Sequence, residues 1–264
     1  MRKYLILAMA LVASLVMASF AQADQTITAS VSPSKLDKKK KKPVKLLIDI
    51  RTTDNIGAAV NADQPPDADR TIVDFPKNLS FDTTAVPNCK GTEAQLQNTT
   101  TDTAIDICGK KSVVSVGGEV QVDNATRTVT TPTGAFVAVD NSPATPGSTY
   151  TSVPVQVTAL NGTTKGQLYL HSKALTLPVT NVLVGKLVKG KSPYGYRLDV
   201  TIPQLLAGGI ADFKTTVQAG KYVQGVCKSK KMPYAATTTY SDWVGGAQSH
   251  AEFEGTCKQK KSKK

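Results

Sequence analysis

Tyr196-Arg197-Leu198-Asp199-Val200-Thr201-Ile202 alternates large apolar side chains with charged or polar ones, residue by residue. Successive side chains on a β-strand point to opposite faces, so this stretch reads as a strand with one buried and one wet face. The same period recurs along most of the chain. Val44, Leu46, Ile48 and Ile50 alternate with Lys45, Asp49 and Arg51, Leu47 alone being out of phase. Val114, Val116, Val120 and Val122 share a face opposite Ser115, Glu119 and Gln121. Further strands are expected near 26–31, 70–75, 127–131, 135–139, 153–159, 167–173, 181–188, 212–218, 221–227, 235–241 and 250–256. Many of these are rich in the β-branched residues valine and threonine.

Turn chemistry separates these segments at Asp123-Asn124, Asn161-Gly162, Lys189-Gly190 and Ala219-Gly220. Helical pattern is confined to Ala94–Asn98 and Pro203–Leu206. The expectation is an all-β chain: an antiparallel β-sandwich, jelly-roll-like or two-sheet, with little helix. The Pro/Ser-rich stretch Asn141–Thr149 reads as one long loop within a domain spanning 24–257. A linker between two sandwich halves is the alternative.

Residues 1–23 carry Arg2 and Lys3, then an apolar run from Leu5 to Phe20, then the small-x-small triplet Ala21-Gln22-Ala23. This is the pattern of a secretory signal peptide cut before Asp24, and the run is short for a membrane span. No cysteine follows it, which argues against a lipoprotein. The mature chain is expected outside the cytoplasm, secreted or at the cell surface.

In an oxidising compartment the four cysteines read as two disulfides. Cys89–Cys108 with Cys227–Cys257 is the expected pairing, because each pair is local and lies in its own half. Zinc is disfavoured by the absence of a C-x-x-C motif and by the distance of both histidines from any cysteine cluster.

The order of landmarks along residues 35–257 carries a resemblance. The landmarks are Pro43-Val44-Lys45-Leu46, Phe75-Pro76-Lys77-Asn78-Leu79-Ser80-Phe81-Asp82, Val86-Pro87-Asn88-Cys89 and Ser112 to Val120 after Cys108, then Tyr222-Val223 before Cys227. In this order the chain resembles a group of uncharacterised exported β-rich proteins of actinobacteria. Gly109 stands where that group often has proline, and Gly117-Gly118 lacks its usual glycine spacing. The resemblance implies export and a β-fold and carries over no functional residue.

Candidate chemistry is sparse. Glu252 and Glu254 flank Phe253 and share a strand face, which could serve a hydrolase or a cation but reads as a solvated face. His171 and His250 are the only bases for a serine triad, and no G-x-S-x-G elbow accompanies them. Both are read as surface or hydrogen-bonded histidines. Gly117-Gly118 lacks the G-K-[ST] of a phosphate loop and reads as a bulge. Asp63, Asp67 and Asp69, with Asn61, form the weak calcium candidate, in a loop that matches no EF-hand. Trp243 beside Asp242, with Tyr240, Tyr234, Tyr194 and Tyr196, could offer a sugar platform, although a lone tryptophan reads as core.

The formal charge is +12. Residues 35–45 hold seven lysines against Asp37, and 258–264 hold five with no acid, so the rest of the mature chain is close to neutral. The excess therefore reads as two appendages rather than a basic surface, the second a disordered tail. Lys38, Lys39, Lys40, Lys41 and Lys42, with Lys258, Lys260, Lys261, Lys263 and Lys264, are the candidate contacts to an anionic cell-wall polymer or membrane surface. Specific nucleic-acid recognition and a membrane span are not expected, and no cofactor other than calcium is considered. The leading expectation is a non-enzymatic binding or structural protein of the cell envelope. The alternatives are a hydrolase of glycans or esters, and an anionic-polymer binder acting through the two lysine segments.

Overall fold

A computed structural model describes residues 24–53, 68–116, 135–139, 153–175, 177–203, 210, 212–217, 220–240 and 248–260. The expected signal segment, Asp63, Asp67, Gly117-Gly118, the 127–131 strand, Asn141–Thr149 and Trp243 lie outside these residues.

In chain order the strands are β1 (Asp24–Ser32), β2 (Lys35–Leu36), β3 (Lys42–Pro43), β4 (Lys45–Thr53), β5 (Ala68–Pro76), β6 (Leu79–Phe81), β7 (Ser115–Val116), β8 (Ala135–Val139) and β9 (Val153–Asn161). They continue with β10 (Gln167–Ala174), β11 (Thr180–Lys189), β12 (Tyr194–Thr201), β13 (Asp212–Val217), β14 (Val223–Gly225), β15 (Lys231–Tyr240), β16 (Gln248–Thr256) and β17 (Lys258–Gln259). Two short helices, α1 (Glu93–Leu96) and α2 (Thr101–Cys108), lie between β6 and β7.

The main sheet runs β1-β4-β13-β8-β9-β10-β11-β12-β5-β15-β16, with β7 also on β13, and every pairing in it is antiparallel. Early and late strands interleave: β4 lies beside β13, and β5 lies between β12 and β15. The sheet curls until β1 comes back against β15 and β16. Its two core-facing layers are thus opposite limbs of one rolled sheet around one interior. The all-β antiparallel class with little helix is what the chain adopts.

Leu46, Ile48 and Ile50 of β4, Val73 and Phe75 of β5, Val157 and Ala159 of β9, Leu168 and Leu170 of β10 and Val200 of β12 fill that interior. The wet faces of the same strands carry the alternate residues. On β12, Arg197 donates to both carboxylate oxygens of Asp74 of β5 through Nε and Nη2 at 2.8 Å, and Asp199 holds Arg70 of β5. The alternation of 196–202 is therefore read on both sides of the wall.

Three strands depart from it. The outer faces of β9, β10 and β11 are also buried, because Leu96, Ala104, Ile105 and the Cys89–Cys108 disulfide pack over Leu160, Tyr169 and Val182. Helix α1 overlaps the expected 94–98 segment, whereas α2 (TDTAIDIC) has no counterpart among the expectations. Its threonines read as strand. Yet Thr100 accepts from the Thr103 amide as an N-cap, Asp102 favours the first turn, and Gly109, at φ +86°, ends the helix. Pro203 is not helical, and 204–206 lie outside the described residues.

Candidate anion-binding surface

The strands place the chain's lysines unevenly. The bottoms of β1 and β4 meet at Ser32 and Lys45, those of β15 and β16 at Lys231 and Thr256, and those of β5 and β12 at Pro76 and Tyr194. Lys189, at the end of β11, pairs across to Tyr196. All these positions lie at one end of the rolled sheet, where backbone hydrogen bonds stitch the connecting segments together. Val44 donates to Val223, Asp82 to Tyr222, Val226 to Asn78, and Cys227 to Asp37.

Two small sheets reinforce that end: β3-β14-β6, and a parallel pair in which β17 joins β2. The Cys227–Cys257 disulfide lies among them, and the Cys257 amide donates to Lys230. The tail expected to be disordered from residue 258 therefore starts as structure. The Lys258 amide donates to Ser34, that of Lys260 to Leu36, and Gln259 Nε2 to the Cys227 carbonyl at 3.0 Å. Lys261, Lys263 and Lys264 lie outside the described residues.

Every described lysine of this end is exposed: Lys35, Lys38, Lys39, Lys40, Lys41, Lys42 and Lys45; Lys77; Lys165; Lys189 and Lys191; Lys221, Lys228, Lys230 and Lys231; Lys258 and Lys260. Eight of them belong to neither basic segment of the sequence. This corrects the expectation of two charged appendages on a neutral body. The body is near neutral only in sum, since its lysines share an end with the basic segments and its acids are mostly elsewhere. Three carboxylates stand among the seventeen lysines, and each is engaged. Asp37 accepts from the amides of Lys39 and Lys40 at 2.8 and 2.9 Å, and these bonds, then the nearby lysine charges, hold its carboxyl below the usual range. That turn orients the run Lys38–Lys42 outward. Asp82 is lowered by the Thr84 hydroxyl and amide, with Lys165 and Lys221 adding to the effect. Glu254 pairs with Lys231 at 3.0 Å.

Asn161, read in the sequence as half of a turn, has a second task here. It is fully buried, and its amide nitrogen donates to the carbonyl of Thr83 at 3.0 Å and to Asn88 Oδ1 at 2.8 Å. It thereby anchors the loop that leads from the lysine end to α1. An N-G pair signals a turn, and nothing local marks the asparagine as an anchor for a segment some seventy-five residues away.

No family model, no curated protein and no solved structure matches this chain. Glu252 and Glu254 are both exposed, the first beside His250 at 3.3 Å and the second on Lys231, while Phe253 turns inward to Tyr234. His250 also meets the Thr237 hydroxyl at 2.8 Å. His171 is fully buried rather than at the surface, because α1 and α2 cover its face of β10; its Nε2 meets the Thr99 hydroxyl at 3.0 Å, and burial lowers its pKa.

Asp69 is half-buried at the end opposite the lysines, and no group of three or more metal-ligating side chains occurs among the described residues. Tyr234 and Tyr240 are buried, and Tyr194 and Tyr196 half-buried, so these four offer no exposed aromatic platform. A wall cleft of about 610 Å³ brings Glu93 and Asp199 together with Arg70 and Lys186. Arg70 holds Asp199 well below the usual carboxylate range, and thus ionised. A glycosidase needs one carboxyl held protonated, a role that the ionised Asp199 does not fill. Among the described residues no helix is long and apolar enough to cross a membrane.

Proposed function

We propose that the chain is exported and non-enzymatic, and that it attaches by its lysine-covered end to an anionic polymer of the cell envelope. One observation carries this reading: seventeen exposed lysines from six separate segments share one end of the fold, with only three acids among them in the described residues, all engaged. Like charges crowded in this way repel one another, and a phosphate- or carboxylate-bearing chain relieves that repulsion by displacing small counterions. The two disulfides are consistent with an extracellular setting, and the apolar segment before Asp24 supports export as a signal peptide. A polymer fits better than a flat bilayer, because the lysines are spread over strand ends and loops around a rim and, among the described residues, only one large exposed apolar side chain, Val188, lies near them.

The test is retention of the mature protein on immobilised polyphosphate as sodium chloride is raised. Retention should fall steeply with salt. A Lys38–Lys42→Gln variant and a Lys228/Lys230/Lys231→Gln variant should each elute earlier, and their combination earlier still. Undiminished retention of the combined variant would end this reading.

A further inference from the structure

The interior of the rolled sheet is not completely filled. A cavity of about 110 Å³ lies inside it, walled by β4, β5, β9, β10, β11, β12, β13 and β15. Among the described residues no charged side chain lines it; the walls are Leu, Ile, Val, Phe and Ala, with a few threonines, Gln25 and two tyrosines. Close-packed interiors seldom leave such a space, and apolar cavities of this kind stay dry and take apolar guests.

Two polar groups mark its ends. Tyr222, at the lysine end, is 1% exposed, and its hydroxyl is buried with no hydrogen-bond partner among the described residues. Burial also raises its pKa, so the hydroxyl keeps its proton and can donate. At the far end Gln25 faces Thr52 across β1 and β4. Its Nε2 donates to the Thr238 hydroxyl at 2.7 Å, leaving Oε1 buried with no partner among the described residues. A buried polar atom without a partner costs free energy, so two of them on one otherwise apolar cavity require an account.

We propose that this cavity is a binding site for a small neutral amphiphile, an alkyl chain of about two to three carbons bearing a hydroxyl. The size follows from volume, since a somewhat larger cavity of about 150 Å³ takes benzene. The absence of charge follows from the walls, because an ionised head would be buried without a counter-ion. The hydroxyl follows from the orphaned atoms: it can accept from Tyr222 or donate to Gln25 Oε1. The site is separate from the lysine end's surface and does not rest on that reading.

Methyl NMR of the mature protein titrated with 1-propanol tests it, with propanoate as the charged control. Saturable shifts of the Val157, Leu170 and Leu183 methyls are expected with the alcohol and not with the anion. Tyr222→Phe keeps the ring and should weaken binding about fivefold. Ala159→Leu fills the cavity and should abolish the response; if that variant does not fold, Val157→Ile should weaken it about tenfold. No saturable shift in the wild type, equal affinity for propanoate, or an alcohol response indifferent to the filling variant overturns the proposal.

Discussion

Asp212→Asn should make the protein more stable at neutral pH, although the substitution removes a salt-bridge partner. Asp212 stands opposite Arg51 on β4, close to Asp49, which lies diagonally across the same two strands. Arg51 Nε lies 3.3 Å from Asp49 and 3.7 Å from Asp212, so one cation serves two carboxylates, with Lys214 only at 3.9 Å from Asp49. Asp212 Oδ1 is buried without a partner among the described residues. Burial first, and then the Asp49 charge, push the Asp212 carboxyl up to about 6 from 3.8.

The sign follows from linkage: between those values the folded state holds a proton that the unfolded state has lost, so stability falls as pH rises from about 4 to above 6. A shift of this size corresponds to about 3 kcal/mol as an upper bound, reduced to about 2 kcal/mol by the solvent at the group's edge. Asparagine keeps the shape and removes the titration, and Arg51 retains Asp49. Urea unfolding of both proteins from pH 4 to 8 should give a variant stabilised by about 2 kcal/mol at pH 7.5, the gain shrinking towards zero at pH 4. A variant less stable at pH 7.5, or a difference that does not change with pH, refutes the reasoning.

Other perturbations test other parts of the fold. Removing the Cys227–Cys257 bridge by a double serine substitution should cost about 3.6 kcal/mol from the 30-residue loop it closes, read as a lower urea midpoint. The loss should shrink in high salt, which screens the lysines that the bridge holds together. Arg197→Ala strands the nearly buried Asp74 carboxylate and should cost about 2–3 kcal/mol, part of it recovered by adding Asp74→Asn in a double-mutant cycle. The pKa of His171 is lowered in the fold from 6.5, so stability should fall by up to about 1.4 kcal/mol per pH unit below that value. His171→Leu should remove that component of the acid loss in the same urea series.

The legible part of this fold was its local part. Period-two alternation at 44–51 and 196–202 marked strands whose two faces meet different media, and the short spacing within each cysteine pair marked both disulfides. The opacity elsewhere has physical causes. Thr158, Leu160, Tyr169 and His171 lie on a strand face that local pattern assigns to solvent, and only a helical cap from 93–108 makes that face interior. The cap was half hidden itself, since threonine at 100, 101 and 103 favours strands unless it is recognised as capping chemistry. The candidate surface was half legible too. Two lysine runs are visible in any reading, but Lys77, Lys165, Lys189 and Lys221 join them only because the strands end together, and a summed charge has no direction.

That arrangement also gives the molecule an electrical axis along its strands. In the field of a polyanion such a body feels a torque as well as an attraction. It arrives lysine end first, which raises the fraction of encounters that are productive and makes the on-rate more sensitive to salt than the off-rate. On a polyanion bound as proposed, the end that carries Gln25, Thr52 and Thr238 would point away from the surface. Attachment of the proposed kind would therefore set orientation as well as position, and every bound copy would present the same end to the surrounding fluid.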